Sequence, residues 1–247
     1  MNGVWIRGVW ERQSIGAKLI WLLFLPASWF YLFLVNVRNA LYSLGWLPIH
    51  ALPRPVVSIG NLTVGGTGKT PSCLWLAHEL TDRGFKVAIL TRGYRRKESA
   101  PVVLRAQGDA SASLAMHPNV VAAGDEPLMM AHLHGQVVGV GKNRYQAAQN
   151  LLAKQDCDVF LLDDGYQHRK LKRDVDFLLL GTDWQGRVLP AGPFRESRKS
   201  LRRADYFLVT GVEEKWRSLM PVDAGERCFV GSLRSVSLIG LASDAWK

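Results

Sequence analysis

From Leu19 to Val37 the chain carries no charged residue, and Lys18 and Arg38 bracket the run. As a helix the run would be roughly 28 Å long, close to the hydrocarbon thickness of a bilayer. Trp5, Trp10, Trp21, Trp29 and Trp46 suit a lipid–water boundary. The stretch is long for a cleaved leader, and no small-residue cleavage site follows it promptly. Three placements are open: an interfacial or shallowly inserted anchor, a spanning helix with Pro26 as a tolerated kink, or a helix buried against the protein's own core. Proline-rich sequence from Leu47 to Pro55 then reads as a linker.

Beyond the linker, short apolar runs alternate with segments of helical pattern. Strands are expected at 55–59, 86–91, 119–123, 136–140, 158–162, 175–180 and 206–210. Helices are expected at 72–80, 127–134, 143–154 and 197–204, the last strongly basic. Residues 92–107 read as basic and then turn-like. Apolar runs at 227–233 and 236–241 suggest two more strands. Strands that are apolar throughout, with helices between them, predict a parallel sheet covered on both faces. Ligands of such sheets sit beyond the carboxyl ends of the strands.

Charge narrows the partners. Thirty-one Lys and Arg against 21 Asp and Glu give a formal net charge of +10. That balance favours anions: a nucleotide, a phospholipid surface, a phosphorylated substrate or nucleic acid. Cys73, Cys157 and Cys228 are too scattered for a disulfide framework or a zinc cluster, and fit a reducing compartment.

The strongest chemical signal follows the first expected strand. Thr63-Val64-Gly65-Gly66-Thr67-Gly68-Lys69-Thr70 has the strand, glycine-rich loop, Gly-Lys-Thr, helix layout of a phosphate-binding P-loop. Loop amides and a helix N-terminus favour phosphate oxygens, Lys69 can reach the β- and γ-phosphates, and the Thr70 hydroxyl can ligate Mg²⁺. The usual first glycine is Thr63 here, so Gly65 and Gly66 are expected to supply the flexibility. The expected architecture is an α/β, P-loop NTPase-like, mostly parallel sheet flanked by helices, with an N-terminal apolar membrane-associating helix. Its segments are 1–54 (apolar helix and linker), 55–211 (P-loop domain) and 212–247 (the start of a second α/β portion, apparently truncated).

Three polar clusters fall at expected strand ends. In Gly124-Asp125-Glu126-Pro127 the carboxylates could bind Mg²⁺ or accept a proton, or could simply cap a helix. Leu161-Leu162-Asp163-Asp164-Gly165-Tyr166-Gln167-His168 reads as an apolar strand ending in metal-orienting carboxylates, or as an Asp-Gly turn. Leu189-Pro190-Ala191-Gly192-Pro193-Phe194-Arg195-Glu196 is a stiff loop. It presents either Arg195 to a phosphate and Glu196 to a metal, or an exposed structural ion pair. Two basic runs, Arg92 to Lys97 and Arg198 to Arg203, could hold lipid headgroups or substrate phosphates, or be solvated faces.

In their order along the chain, VSIGNLTVGGTGKTP, TRGYRRK, GDEP, VGKNR, DDGYQHRKLKRD and LPAGPFRE resemble the tetraacyldisaccharide 4′-kinases of lipid A synthesis in Gram-negative bacteria. The match runs roughly from Pro55 to Gly211. The resemblance implies an ATP- and Mg²⁺-dependent kinase acting on the 4′-hydroxyl of a tetraacylated glucosamine disaccharide 1-phosphate. Its place would be the cytoplasmic face of the bacterial inner membrane, with no nucleic acid partner expected. It further implies Asp125 as catalytic base with Glu126 beside it, and Lys69 and Thr70 as the P-loop Lys and metal-ligating Thr. Asp163, Asp164 and His168 become the acidic pair and His of the metal-organising motif, and Arg195 and Glu196 close the last one. Family members usually continue further and carry an FPDHH-like motif whose His pairs with the catalytic Asp. No such motif occurs before Lys247, so the expectation is a fragment, a frameshifted copy or a naturally short one.

Other readings are kept in view. A partitioning-type ATPase switch would carry a Lys where Val64 stands, and a GTPase would carry an NKxD-like motif. A nucleic-acid-binding ATPase accounts for the charge but not for the apolar N-terminus. An inactive kinase remnant accounts for the short length.

Overall fold

A computed structural model of the chain describes residues 3–93, 100–105, 124–132, 134–183, 185–211 and 213–232. It divides into two units through which the chain passes more than once. The first comprises Met1–Ile49, Asn61–Gly68 and Phe177–Gly231, and the second His50–Gly60, Lys69–Asp176 and Ser232–Lys247. This interleaving differs from the three consecutive segments expected from the sequence.

The second unit is a sheet with helical cover. Its strands are β1 (Val56–Asn61), β2 (Val87–Thr91), β3 (Val102–Leu104), β4 (Val137–Val140) and β5 (Val159–Asp163). They lie in the order β3-β4-β2-β5-β1. Pairing is parallel between β1 and β5, β2 and β5, and β2 and β4, whereas β3 runs antiparallel to β4. Every residue of β2 and β5 is buried, which explains their unbroken apolar sequence. The short β3 falls in the segment expected to be turn-like. The expected strands at 119–123 and 236–241 lie outside the described residues.

Helix α3 (Lys69–Asp82) packs on β2 and β5, while α4 (Asp125–His132) packs on β4 and β3. Helix α5 (Arg144–Leu152) packs on β4, β3 and β2, and its first turn is capped by Asn143, whose side chain accepts the Gln146 N–H. Ala147, Ala148 and Leu151 of α5 join Leu90, Phe160 and Leu162 in one buried cluster. Each buried Leu or Phe there contributes about 1.5–3 kcal/mol relative to exposure.

The first unit contains parallel β6 (Val175–Leu180, from Phe177 onward), β7 (Tyr206–Val209) and β8 (Cys228–Val230). The expected basic helix is a 3-10 helix, Arg198–Arg203. A short α6 (Glu213–Arg217) and a second 3-10 helix, Val222–Arg227, were not foreseen. Neither was α1 (Gly3–Trp10), which precedes the long apolar helix α2 (Ile15–Ser43). Ser14 caps α2 by accepting the Ala17 N–H, and Pro26 lies inside the helix.

Helix α2 has two unlike faces. Along one, polar groups meet the segment from Val188 to Glu196. Trp21 Nε1 donates to the Ala191 carbonyl at 2.9 Å, Ser28 Oγ to that of Val188 at 3.0 Å, and Tyr31 Oη to that of Arg195 at 2.8 Å. Along the other, Leu19, Leu22, Leu23, Phe30, Phe33, Leu34 and Val37 are exposed at helical spacing. Only Ser28 and Tyr42 of the helix are buried. Among the described residues nothing buries this face of the helix, which leaves the two membrane placements as the better supported of the three.

Candidate active site

The glycine-rich loop leaves β1 and enters α3 directly at Lys69. Left-handed φ values occur at Gly65 (115°) and Gly68 (83°), conformations that a side chain resists. Gly66, expected to share that task, does not adopt one. Thr63 stands where a glycine was expected because it is used as strand: it is 4% exposed and bridges antiparallel to Phe194. The Val64 N–H donates to the Pro193 carbonyl at 2.8 Å, and the Arg195 N–H to that of Leu62 at 2.7 Å. The amide of Val64, expected to face a phosphate, is therefore committed to the neighbouring loop. Asn61 Nδ2 donates to Thr67 Oγ1 at 2.8 Å and steadies the far side of the turn.

At the start of α3 the chemistry gathers within the second unit. Lys69 Nζ lies 3.8 Å from Asp164 Oδ1, and the Thr70 hydroxyl donates to Glu126 Oε1 at 2.5 Å. Pro71 fits here because the first turn of a helix needs no N–H partner from it. Glu126 and Asp125 open α4, where the Asp125 Oδ1 accepts the Glu126 N–H at 3.0 Å. Asp125 thus opens α4 as an acid in its first turn, favoured there by the helix dipole, and is exposed.

Asp163 ends β5 and is 4% exposed. Its Oδ2 accepts from Thr91 Oγ1 at 3.3 Å, while its Oδ1 is buried with no hydrogen-bond partner among the described residues. Burial pushes this carboxyl up from 3.8 to about 7. The charges of Glu126 and Asp164 push the same way, against Lys69 and the Thr91 hydroxyl. Asp164 sits at φ 49°, the left-handed turn that Asp tolerates. A Cβ on Gly165 would stand 2.6 Å from Leu162 Cγ and 2.7 Å from Ser58 Oγ, so only glycine fits that turn. His168 follows in the same loop: its N–H donates to Gly165, and its carbonyl accepts from Arg173, which pairs with Asp176 at 3.0 Å.

Arg144 was quoted in the VGKNR segment without a role. It is 5% exposed at the start of α5, with Nη1 donating to the Lys142 carbonyl at 3.3 Å. Burial, then Arg92, lower its pKa to about 10, and Asp164 and Asp163 oppose that shift. A buried Arg opening a helix just past a strand end was the available signal.

In the first unit, Glu196 is 1% exposed and accepts from Asn39 Nδ2 (2.9 Å) and Ser200 Oγ (2.8 Å). Arg203 lies at 3.0 Å and Arg38 at 3.9 Å. This carboxylate, expected to assist a metal, is instead the anchor between α2 and the basic 3-10 helix. The backbone of Arg195 is fixed on both sides, by Leu62 and by Tyr31.

Among the described residues no three His, Cys, Asp or Glu side chains stand close enough together to hold a metal ion by themselves, so magnesium here would need the phosphate oxygens of a bound nucleotide as further ligands. Hard oxygen donors suit that ion. A buried carboxylate with an orphan oxygen, flanked by two further carboxylates, is the environment that a cation relieves.

Comparison with known proteins follows the same line. Residues 20–241 match the family described as tetraacyldisaccharide-1-P 4′-kinase, LpxK. The tetraacyldisaccharide 4′-kinase of Aquifex aeolicus is 45% identical over 192 residues, covering 76% of this chain and 58% of that protein. The protein of the same description from Histophilus somni is 35% identical, over 94% of this chain and 71% of its own length. A crystal structure of LpxK from Aquifex aeolicus in complex with ATP superposes with a TM-score of 0.71 at 41% identity, covering 83% of this chain and 62% of that one. The chain thus spans from somewhat over half to somewhat over two thirds of the length of these relatives.

Proposed function

Because the chain belongs to the tetraacyldisaccharide-1-P 4′-kinase family, we propose that it transfers the γ-phosphoryl group of ATP to the 4′-hydroxyl of a tetraacylated glucosamine disaccharide 1-phosphate. The observation that carries this reading is the bond from Thr70 to Glu126, which brings the GDEP segment against the Gly-Lys-Thr turn. An acid one residue from that contact is suited to take a proton beside a bound triphosphate.

In this reading Lys69 and the amides of the loop from Gly65 to Gly68 hold the phosphates. The 4′-oxygen bonds to the γ-phosphorus as the bond to the β–γ bridging oxygen breaks. The hydroxyl proton passes to Asp125, and ADP leaves. Magnesium, when bound, neutralises charge on the β- and γ-phosphate oxygens, and Thr70, Asp163 and Asp164 would hold it. Positioning and electrostatics supply most of the rate enhancement in such transfers.

The exposed apolar face of α2 supports a seat at the membrane surface, with the other face kept on the protein by polar contacts. ATP is a cytosolic substrate, which puts the seat on the cytoplasmic face of the inner membrane. Incubation with labelled ATP and the disaccharide lipid in detergent, beside the Aquifex aeolicus relative, tests the reading. A phosphorylated lipid that disappears in Asp125→Ala supports it. Lipid phosphorylation by the relative alone, or full turnover in Asp125→Ala, overturns the activity or the assignment of the base, respectively.

A further inference from the structure

The 3-10 helix of the first unit sends its cations two ways. Arg203 turns to Glu196. Arg198, Lys199 and Arg202 instead line a hollow of about 400 Å³ whose other wall includes Leu219, Met220 and Pro221. Among the described side chains, no acidic residue lines this hollow. None of the three cations forms an ion pair among the described residues, and Arg198 rests over the Phe194 ring at 5.3 Å. Three cations with no ion-pair partner among the described residues, set around an apolar wall, suit an anion with an apolar body.

The fold also sets its level. Through Glu196, the helix carrying these cations is tied to Arg38 and Asn39 of α2. Those two residues stand just past the end of the uncharged run of α2, where an apolar segment emerges into the headgroup layer. We propose that this hollow takes the phosphate headgroup of an anionic phospholipid, with the cations on the phosphate and the Leu219–Pro221 wall against the glycerol and first methylenes. The proposal rests on the membrane seat argued above. It adds that the seat is selective for anionic lipid and that the selectivity lies in one place.

Vesicle co-sedimentation of the full chain tests it, using phosphatidylcholine alone and phosphatidylcholine with phosphatidylglycerol, at low salt. The wild type is expected to prefer the anionic vesicles on the order of a hundredfold. The triple change Arg198→Ser, Lys199→Ser, Arg202→Ser is expected to abolish that preference and leave binding to neutral vesicles unchanged. Each single change loses about fivefold. A control that neutralises Lys86, Lys154 and Lys172 is expected to keep most of the preference. Equal loss in this control, or an undiminished preference in the triple variant, assigns the effect to diffuse charge and overturns the proposal. Equal binding of wild type to both vesicles also overturns it while leaving the seat intact. Binding to neither removes the seat itself. A double change on the exposed face of α2, Leu23→Ser with Phe33→Ser, separates the two contributions by weakening binding to both vesicle types.

Discussion

The Thr70 hydroxyl donates to the Glu126 carboxylate, joining the first turn of α3 to the first turn of α4. This contact makes the glycine-rich motif and the GDEP segment parts of one site, although 56 residues separate them in sequence. Thr70→Val keeps the shape and removes the oxygen. ATP turnover is expected to fall by about 10²–10³, with half-saturation by Mg²⁺ moving to higher concentration. Steady-state kinetics over a magnesium titration check this, and an unchanged magnesium dependence would separate Thr70 from the metal.

Asp163 gives a pH dependence of definite sign. Its carboxyl rises from 3.8 to about 7 on folding, so between those values the folded chain keeps a proton that the unfolded chain has released. Stability contributed by this group is complete below the lower value and is lost as pH climbs to the upper one. The slope is at most about 1.4 kcal/mol per pH unit. Urea unfolding in the presence of a chelator is therefore expected to show stability falling from about pH 4 to about pH 7. Asp163→Asn is expected to flatten that fall, and Mg²⁺ to reverse part of it in the wild type only.

Arg144 is a charge kept inside the fold at a cost. Its replacement by Met keeps the volume and removes the desolvation, but also removes the hydrogen bond to the Lys142 carbonyl and the favourable charge near Asp163 and Asp164, so the two effects oppose each other. Arg144→Met is expected to change stability little while losing at least about tenfold in kcat/KM. Thermal melts and kinetics on the same preparation check the pair of outcomes. A large fall in Tm with activity retained would make Arg144 a structural residue.

Glu196 predicts the opposite pattern. Glu196→Ala takes the buried carboxylate away from Arg203 (21% exposed) and Arg38 (43% exposed), and because both side chains are partly exposed the loss falls below the roughly 3–5 kcal/mol of a fully buried pair. For a chain of this size that lowers Tm by roughly 2–4 °C per kcal/mol. Double replacement with Arg203→Met is expected to recover part of the loss, read from a double-mutant cycle.

The parallel core was legible because strands buried on both faces must be apolar throughout, as Val159–Asp163 and Val87–Thr91 are. Glycine at 65, 68 and 165 marked turns that the backbone then demanded. The sequence did not disclose β3, whose three residues are too few to make a period. Nor did it disclose why Thr63 replaces a glycine, since the reason is a partner strand, Phe194, far along the chain. The burial of Glu196 and the raised pKa of Asp163 depend on side chains converging from remote segments, and local pattern carries no trace of that. Asp125 shows the limit in one residue: its place in the first turn of a helix was readable from the sequence, and its proposed chemistry rests on what lies next to Glu126.

The ribbon from Val188 to Glu196 has one edge on α2, through Trp21, Ser28 and Tyr31, and the other on the glycine-rich loop, through Val64 and Leu62. On the proposed reading, a tilt of the helix at the membrane would tug the same peptide groups that brace the loop proposed to hold the phosphates. Detergent choice would then register in nucleotide affinity as well as in access to the lipid, and a soluble form made by trimming the helix would sacrifice grip on ATP along with its anchorage.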